Sequence, residues 1–371
     1  MPTKELSNPC MECKDVEATL DIRKRQLCSD CYKRFLAYKI IRRTDGYRFK
    51  KNQSTRPKLL LPLSLGVSSS VLLHVLDSQI QRQLAKPIGA KVPFDLLVFV
   101  IEPSTIATSD NLHQQNYDLV LERFSTHAHT RLSIHDIFDY IPDMKEVMLE
   151  YAGSQFVDDS SKSNKDRLAA FRNSITTATS QTDLDYVLLT RLIVAVAQKN
   201  ECEAIVWGDS DTRLAAKALA GVSKGRGASM TWQVSDGMSP WGIRFEFPLR
   251  DLYKTELEQY ESLCQELSGV VIPDPPLPDN VLTKNLSIDE LMMRYVQTQG
   301  AKYPGVMANV ARTANKLQPS SSDDSITCSL CGGLIGNVKG NTGVTVTSQS
   351  GGNQGSKFCY GCIRSRPDPT R

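Results

Sequence analysis

The chain has 371 residues, 40% hydrophobic and 23% charged. That is apolar enough for a buried core, and it excludes a wholly disordered chain, collagen and a coiled-coil rod. The net charge of +3 is too mild to specify a nucleic-acid partner, no apolar run reaches the ~18 residues of a membrane helix, and the start MPTKELSNPCMECKD lacks the apolar stretch of a secretory signal. A reducing, cytoplasmic setting without a membrane is therefore expected, with two or three folding units at roughly 100–200 residues each.

Eight of the ten cysteines fall into four Cys-x-x-Cys pairs: Cys10/Cys13 and Cys28/Cys31 near one end, Cys328/Cys331 and Cys359/Cys362 near the other. This spacing lets two thiolates turn onto one metal, as in zinc ribbons. Four thiolates would close a tetrahedron, so a structural zinc is favoured over a catalytic one. An iron–sulfur cluster also uses four cysteines and stays open, as does one site shared by pairs from opposite ends. Fourteen residues separate the first two pairs and 27 the last two. Much of the longer gap is Gly/Ser/Thr/Asn-rich and reads as a floppy insertion at about 316–357. Cys202 and Cys264 stand alone and read as buried, inert thiols.

From Lys33 to Lys58 the chain carries ten Lys or Arg against one acid, Asp45, with Phe35, Tyr38, Tyr47 and Phe49 interleaved. Lys33, Arg34, Lys39, Arg42, Arg43, Arg48, Lys50 and Lys51 are the candidate nucleic-acid contacts, since cations neutralise phosphates and rings stack on unpaired bases. The competing reading is a solvated helix whose apolar face, Phe35, Leu36 and Ile40, packs on a core.

Lys58–Leu65 has the continuous apolar character of a buried parallel strand. A Ser/Gly loop, GVSSS, and a helical pattern follow, an arrangement that aims backbone N–H groups and a helix dipole at phosphate. Further strands are expected at Phe94–Ile101, Leu132–Ile137 and Ala204–Trp207. Helices are expected at Asn111–Phe124, Leu184–Gln198, after Gly208-Asp209-Ser210-Asp211, and at Asp251–Glu266. Alternation of this kind predicts an α/β fold with a parallel sheet covered on both faces. Asp158–Lys165 reads as a mobile surface loop and Pro273–Pro278 as a break. The candidate units are 1–57, a four-cysteine module and basic helix; 58–270, the α/β domain; and 271–371, a helical segment with the split second four-cysteine module. His127, His129 and His135 lie close in sequence, but THAHTR reads as surface rather than as a metal site. His74 reads as a satisfied helix histidine, and Trp207, Trp232 and Trp241 as core anchors.

Ser64-Leu65-Gly66-Val67-Ser68-Ser69 resembles the SGGxDS loop of PP-loop ATP pyrophosphatases. Gly208-Asp209-Ser210-Asp211 resembles the GHNADD segment of their tRNA-thiolating branch, and Pro248-Leu249-Arg250 with Tyr253 and Glu256 resembles a late turn there. With Cys-x-x-Cys pairs at both ends, the chain from about Pro9 to Arg364 resembles the family of companion subunits of the eukaryotic wobble-uridine thiolase.

That resemblance implies a PP-loop core flanked by zinc-ribbon-like modules. In the active branch the loop binds ATP and adenylates a uridine oxygen, which sulfur then replaces. The sulfur would come from a thiocarboxylated ubiquitin-like carrier, for tRNAs reading Lys, Glu and Gln. Here Leu65 replaces a glycine and should crowd the phosphate and resist positive φ, and Ser68 replaces the aspartate. No cysteine stands near Tyr186, where only Arg191 matches the basic residues of the active motif, or near Ile272–Asp274. The resemblance therefore implies a degenerate subunit working with a catalytic PP-loop paralogue. Ser64, Gly66, Ser68, Ser69, Ser70, Gly208 and Asp209 would form at most a weak nucleotide site, with ATP bound weakly or through the partner. The competing reading of that loop is an ordinary serine-capped strand-to-helix turn. The alternatives for the whole chain are an independent ATP-dependent tRNA-modifying enzyme and a zinc-dependent RNA-binding scaffold. The apolar helices at Leu184–Ala197 and Ile288–Val296 are candidate partner surfaces.

Overall fold

The structure, a computed structural model, describes residues 6–49, 54–86, 92–102, 110–274, 286–317, 326–335 and 357–367. Lys50, Lys51, most of Pro273–Pro278 and most of the 316–357 insertion lie outside them.

In chain order the N-terminal part has a hairpin, β1 (Leu20–Ile22) and β2 (Arg25–Leu27), then α1 (Ser29–Thr44). The α/β part runs β3 (Lys58–Leu63), α2 (Val67–Leu84), β4 (Asp95–Glu102), α3 (Asp110–Arg123), β5 (Ala128–Ser133), α4 (Ile137–Tyr140), α5 (Met144–Ala152), α6 (Asn164–Asn173) and α7 (Ala178–Lys199). It continues with β6 (Ala204–Val206), α8 (Asp211–Ser223), α9 (Met230–Gln233), β7 (Gly237–Met238), β8 (Arg244–Glu246) and α10 (Lys254–Ser262). Then come α11 (Ile288–Lys302), α12 (Pro304–Ala314), a short hairpin of β9 (Ile326–Thr327) and β10 (Leu334–Ile335), and α13 (Tyr360–Ser365).

The six-stranded sheet has the order β5-β4-β3-β6-β8-β7. All neighbours are parallel except the edge pair β7–β8. The chain winds outward from β3 to β5, then returns to the other side of β3 with β6. The β3/β6 boundary is therefore the topological switch point, where open α/β sheets place their ligands. Side chains alternate across the sheet as the pleat requires. Leu59, Leu61, Leu63, Leu96, Val98 and Val100 join one core with α1, α2, α3 and α10. Leu60, Leu97, Phe99 and Ile205 join the other with α5, α7, α8 and α12. Pro62 is tolerated in a central strand because the β3–β6 ladder pairs only Leu59 and Leu60, and Pro62 lies past it, lining the cleft.

One expectation is corrected. The strand expected at Leu132–Ile137 is β5, Ala128–Ser133, so His129 sits in the sheet and the chain turns helical from Ile134. As an edge strand paired only with β4, β5 needs no continuous apolar run. The Asp158–Lys165 segment lies at the surface, as expected, and leads into α6: the Asp158 side chain takes two bonds from Arg167, and Ser163 caps α6.

Candidate functional site

A cleft of about 720 Å³ opens at the switch point, beyond the carboxyl ends of β3 and β6. Gly66 caps α2, so that helix points its N-terminus at the cleft. Ser64, Gly66, Ser68, Ser69, Gly208 and Asp209 line it; Ser70 instead is fully buried, with no partner for its Oγ among the described residues. Gly208 is required by a close approach: a Cβ there would fall 2.6 Å from Ser69 Cα. The loops after β3 and β6 are thus in backbone contact.

Leu65 departs from expectation. It does adopt positive φ, +59°, and its side chain is fully buried in the α2-side core rather than projecting at a phosphate. Its carbonyl accepts from Ile272 N at 2.8 Å, tying the loop to the cleft's far wall.

The groups that could hold an anion are bonded to one another. Ser69 Oγ accepts from Ser64 N at 3.3 Å and lies 3.0 Å from Ser64 Oγ. Asp209 pairs with Lys217, whose ammonium also reaches Tyr186 Oη at 3.1 Å and lies over the Tyr186 and Trp207 rings. Burial works against the charge on Lys217, but Asp209 and Tyr186 raise its pKa. Lys254 pairs with Asp274. Tyr186 and Ile272–Asp274 both line the cleft, and no cysteine does so among the described residues.

Each end of the chain gathers its own four cysteines, with the Sγ atoms of each set all within 4.8 Å of one another. A site shared between the two ends is thereby excluded. A single ion at about 2.3 Å from four sulfurs spaces them by about 3.8 Å. Cys13 and Cys28 lie 3.9 Å apart, and Cys331 and Cys359 3.4 Å. The donor sets therefore fit one thiophilic ion each. A four-iron cluster, with each thiolate on a different iron, needs a wider tetrahedron.

The two modules are built alike. A knuckle supplies the first pair, and the second opens a helix, with Cys28 and Cys359 as the N-caps of α1 and α13. Burial works against ionisation of Cys10, yet the backbone N–H groups of Cys13, Cys28 and Glu12 bring its thiol down to about 6. Gly333 lets the second knuckle close, because a Cβ there would lie 2.8 Å from Ser229 Oγ and 3.2 Å from Cys331 Sγ.

Arginines absorb the thiolate charge. Arg34 donates to Cys31 at 3.0 Å. Buried Arg226 reaches Cys362 at 3.5 Å while gripping Asp183 at 2.8 Å. Arg191, which the sequence placed in a degenerate catalytic segment, holds the Ser329 carbonyl at 2.7 Å beside the second knuckle. No local sequence signal marks Arg226 for this task, because its partners lie 43 and 136 residues away.

The basic helix α1 buries Cys31, Tyr32, Leu36, Ala37 and Ile40. Several cations of α1 and of the turn after it are engaged within the chain: Arg43 with Asp251 and Asp236, Arg48 with Asp45, Lys33 with Asp30, and Lys39 over the Phe35 ring. Arg42 and Arg34 stay exposed. Phe35 is only partly buried.

The clustered histidines separate. His127 pairs with Asp77 at 2.9 Å, His129 faces the Phe124 carbonyl at 2.9 Å, and His135 sits 3.8 Å from Asp136. Trp232 and Trp241 stack edge to face at 5.1 Å.

A parallel sheet, a serine loop aimed into a switch-point cleft and a four-cysteine module at each end define an α/β fold of the PP-loop type. This fold is similar to that of the solved U34-tRNA thiolase NcsA from Methanococcus maripaludis with its 4Fe-4S cluster. That match has a TM-score of 0.58 at 13% identity, over 89% of this chain and 93% of that one. A family model described as cytoplasmic tRNA 2-thiolation protein 2 matches residues 287–357. Proteins of that name are 54% identical in Aspergillus clavatus, over 99% of each chain, and 54% identical in Neosartorya fischeri, over 100% of each. The chain belongs to the cytoplasmic tRNA 2-thiolation protein 2 family.

Proposed function

We propose that this chain is a required, non-catalytic subunit for 2-thiolation of the wobble uridine in cytoplasmic tRNAs for Lys, Glu and Gln. It works beside a catalytic PP-loop paralogue that takes sulfur from a thiocarboxylated ubiquitin-like carrier. Family membership supports the thiolation role. The observation that carries the non-catalytic part is the cleft itself. The two places where an active thiolase of this resemblance would hold cysteines, near Tyr186 and Ile272–Asp274, both face the cleft and hold none. The serine loop is bonded to itself, and Asp209 is neutralised by Lys217.

In this reading residues 1–57, 58–270 and 271–371 act as a basic four-cysteine module, an α/β body and a second four-cysteine segment. Both cysteine sets hold structural zinc, and Lys33, Lys39, Arg42 and the neighbouring cations face tRNA. Leu184–Ala197 does not serve as a partner surface, since most of that stretch lies in the chain's own core.

The test is deletion of the gene in its own cells, with 2-thiouridine measured in bulk tRNA. Rescue is attempted with the wild-type chain and with a chain carrying a bulkier residue at Ser68, which lines the cleft. Loss of thiolation restored by both is the expected result. Failure of the folded loop variant would give the loop a role in nucleotide or phosphate binding. Thiolation that persists after deletion would overturn the proposal and favour an RNA-binding scaffold.

A further inference from the structure

A third group of side chains with metal-ligating atoms lies on the α2/α10 side of the sheet, apart from both four-cysteine sets. His74 comes from α2, and Cys264 and Glu266 from the turn that follows α10. Their ligand atoms all lie within 4.8 Å of one another. His74 Nε2 stands 3.8 Å from Glu266 Oε2, and its Nδ1 is 3.2 Å from Tyr260 Oη.

We propose that His74, Cys264 and Glu266 form a third metal site, for a zinc-class ion, with the fourth position left to water or an incoming group.

The donor chemistry selects the ion. A thiolate, an imidazole and a carboxylate suit Zn²⁺ and its borderline neighbours, whereas Mg²⁺ and Ca²⁺ take oxygen ligands. Ligands of a tetrahedral zinc sit about 3.3–3.8 Å apart. For a nitrogen and an oxygen ligand that spacing is about 3.4 Å, so the His74–Glu266 separation of 3.8 Å has only a small distance to close. The remaining closure falls to Glu266, whose side chain is 65% exposed and free to swing. His74, at 12%, and Cys264, at 5%, are held in place.

The surroundings resemble the support a metal site needs. Tyr260 Oη can accept from His74 Nδ1–H, which leaves Nε2 as the ligand; a partner of that kind fixes the tautomer of metal-bound histidines. The ligand turn is itself pinned, because Arg123 donates to the carbonyls of Glu266 at 2.8 Å and Ser268 at 2.5 Å, and Asn116 to that of Gly269 at 2.8 Å. Charges balance as well. One thiolate and one carboxylate neutralise a divalent ion, so the occupied site carries no net charge beside the nearby cations Lys33 and Arg82. Without metal, burial pushes the Cys264 thiol up to about 11. Binding therefore displaces one proton, from Cys264 Sγ to solvent, as the S–Zn bond forms.

The test uses the full-length chain, equilibrated with micromolar Zn²⁺, desalted, and assayed for zinc per chain. Cys264→Ser and Glu266→Gln are each expected to hold one ion fewer than the wild type. Co²⁺ substitution should add a weak single-thiolate charge-transfer band that both variants lose. Glu266 is exposed, so Glu266→Gln decides the matter even if Cys264→Ser misfolds. Equal zinc content in the wild type and Glu266→Gln would overturn the proposal. If the four-cysteine sets held no zinc, the wild-type total would drop but the one-ion difference would persist, so the two readings fail separately.

Discussion

Leu65 shows how one residue can hold a loop's shape from inside the core. A left-handed φ costs an L-residue about 1–2 kcal/mol. Burying a leucine contributes about 1.5–3 kcal/mol, and emptying its site costs about 2–5. Packing outweighs strain, so the position reads as a core residue in a glycine's conformation. Leu65→Gly is expected to lower stability by about 1–3 kcal/mol in urea titration and not to create ATP binding in calorimetry. A stabilised or ATP-binding variant would show that leucine is the loop's main defect. Asp211 makes a second residue-scale case. Desolvation pushes its carboxyl up to about 7 from an ordinary value of 3.8, despite bonds from Thr212. The folded chain therefore binds this proton more tightly than the unfolded one. Its penalty is absent below about pH 4, grows as pH rises from about 4 to about 7, and is constant above. Asp211→Asn should raise the melting temperature by several degrees at pH 8 and leave it nearly unchanged at pH 4. A uniform shift at both values would assign the effect to packing.

At the scale of elements, buried ion pairs join segments that sequence reading keeps apart. Asp183 on α7 takes Arg226 at 2.8 Å, Lys224 at 2.9 Å and Ser365 of α13 at 3.2 Å. Asp183→Asn leaves the Arg226 guanidinium buried without its carboxylate. The expected loss is about 3–5 kcal/mol, with release of metal from the C-terminal module ahead of global unfolding, read by a zinc-sensitive dye during a urea ramp. Coincident release and unfolding would place the pair within the main cooperative unit instead. The helix and strand order around the cleft was legible because β3, β4 and β6 are short apolar runs separated by serine, glycine and helical periodicity. The four Cys-x-x-Cys pairs were legible from spacing, but which pairs share a site was settled only by the fold. β5 was not, because an edge strand carrying His129 and Arg131 lacks that apolar signature. The spent charge of Arg43, Arg191 and Arg226 was not legible either. Their partners lie from 43 to 208 residues away, and a guanidinium looks the same in sequence whether it meets a phosphate or a buried carboxylate. His74 and Cys264 read as bland for the same reason: only the fold brings α2 against the end of α10.

For the molecule as a whole, the two four-cysteine modules are not appendages. Cys10, Cys28 and Cys31 belong to the core on the α2 side of the sheet. Cys328, Cys331, Cys359 and Cys362 belong to the core on the α7 side. Each face is therefore closed by one module. The first is latched to α10 by Arg23–Glu256 at 2.6 Å, and the second to α7 through Arg191 and Arg226. Binding of a structural zinc contributes about 10–16 kcal/mol to the folding of the segment that holds it. Whole domains are stable by only about 5–15 kcal/mol. If each module holds the proposed zinc, its removal should therefore unfold more than that module. Stripping both with a strong chelator is expected to lower the melting temperature of the entire chain. Cys328→Ser should do so more than Cys13→Ser, because Cys13 is partly exposed whereas Cys328 is 3% exposed inside the core. Circular dichroism melts with and without chelator check this. A melt unchanged by chelation would mean that the sheet and its helices stand without either module, and that the modules are docked rather than built in.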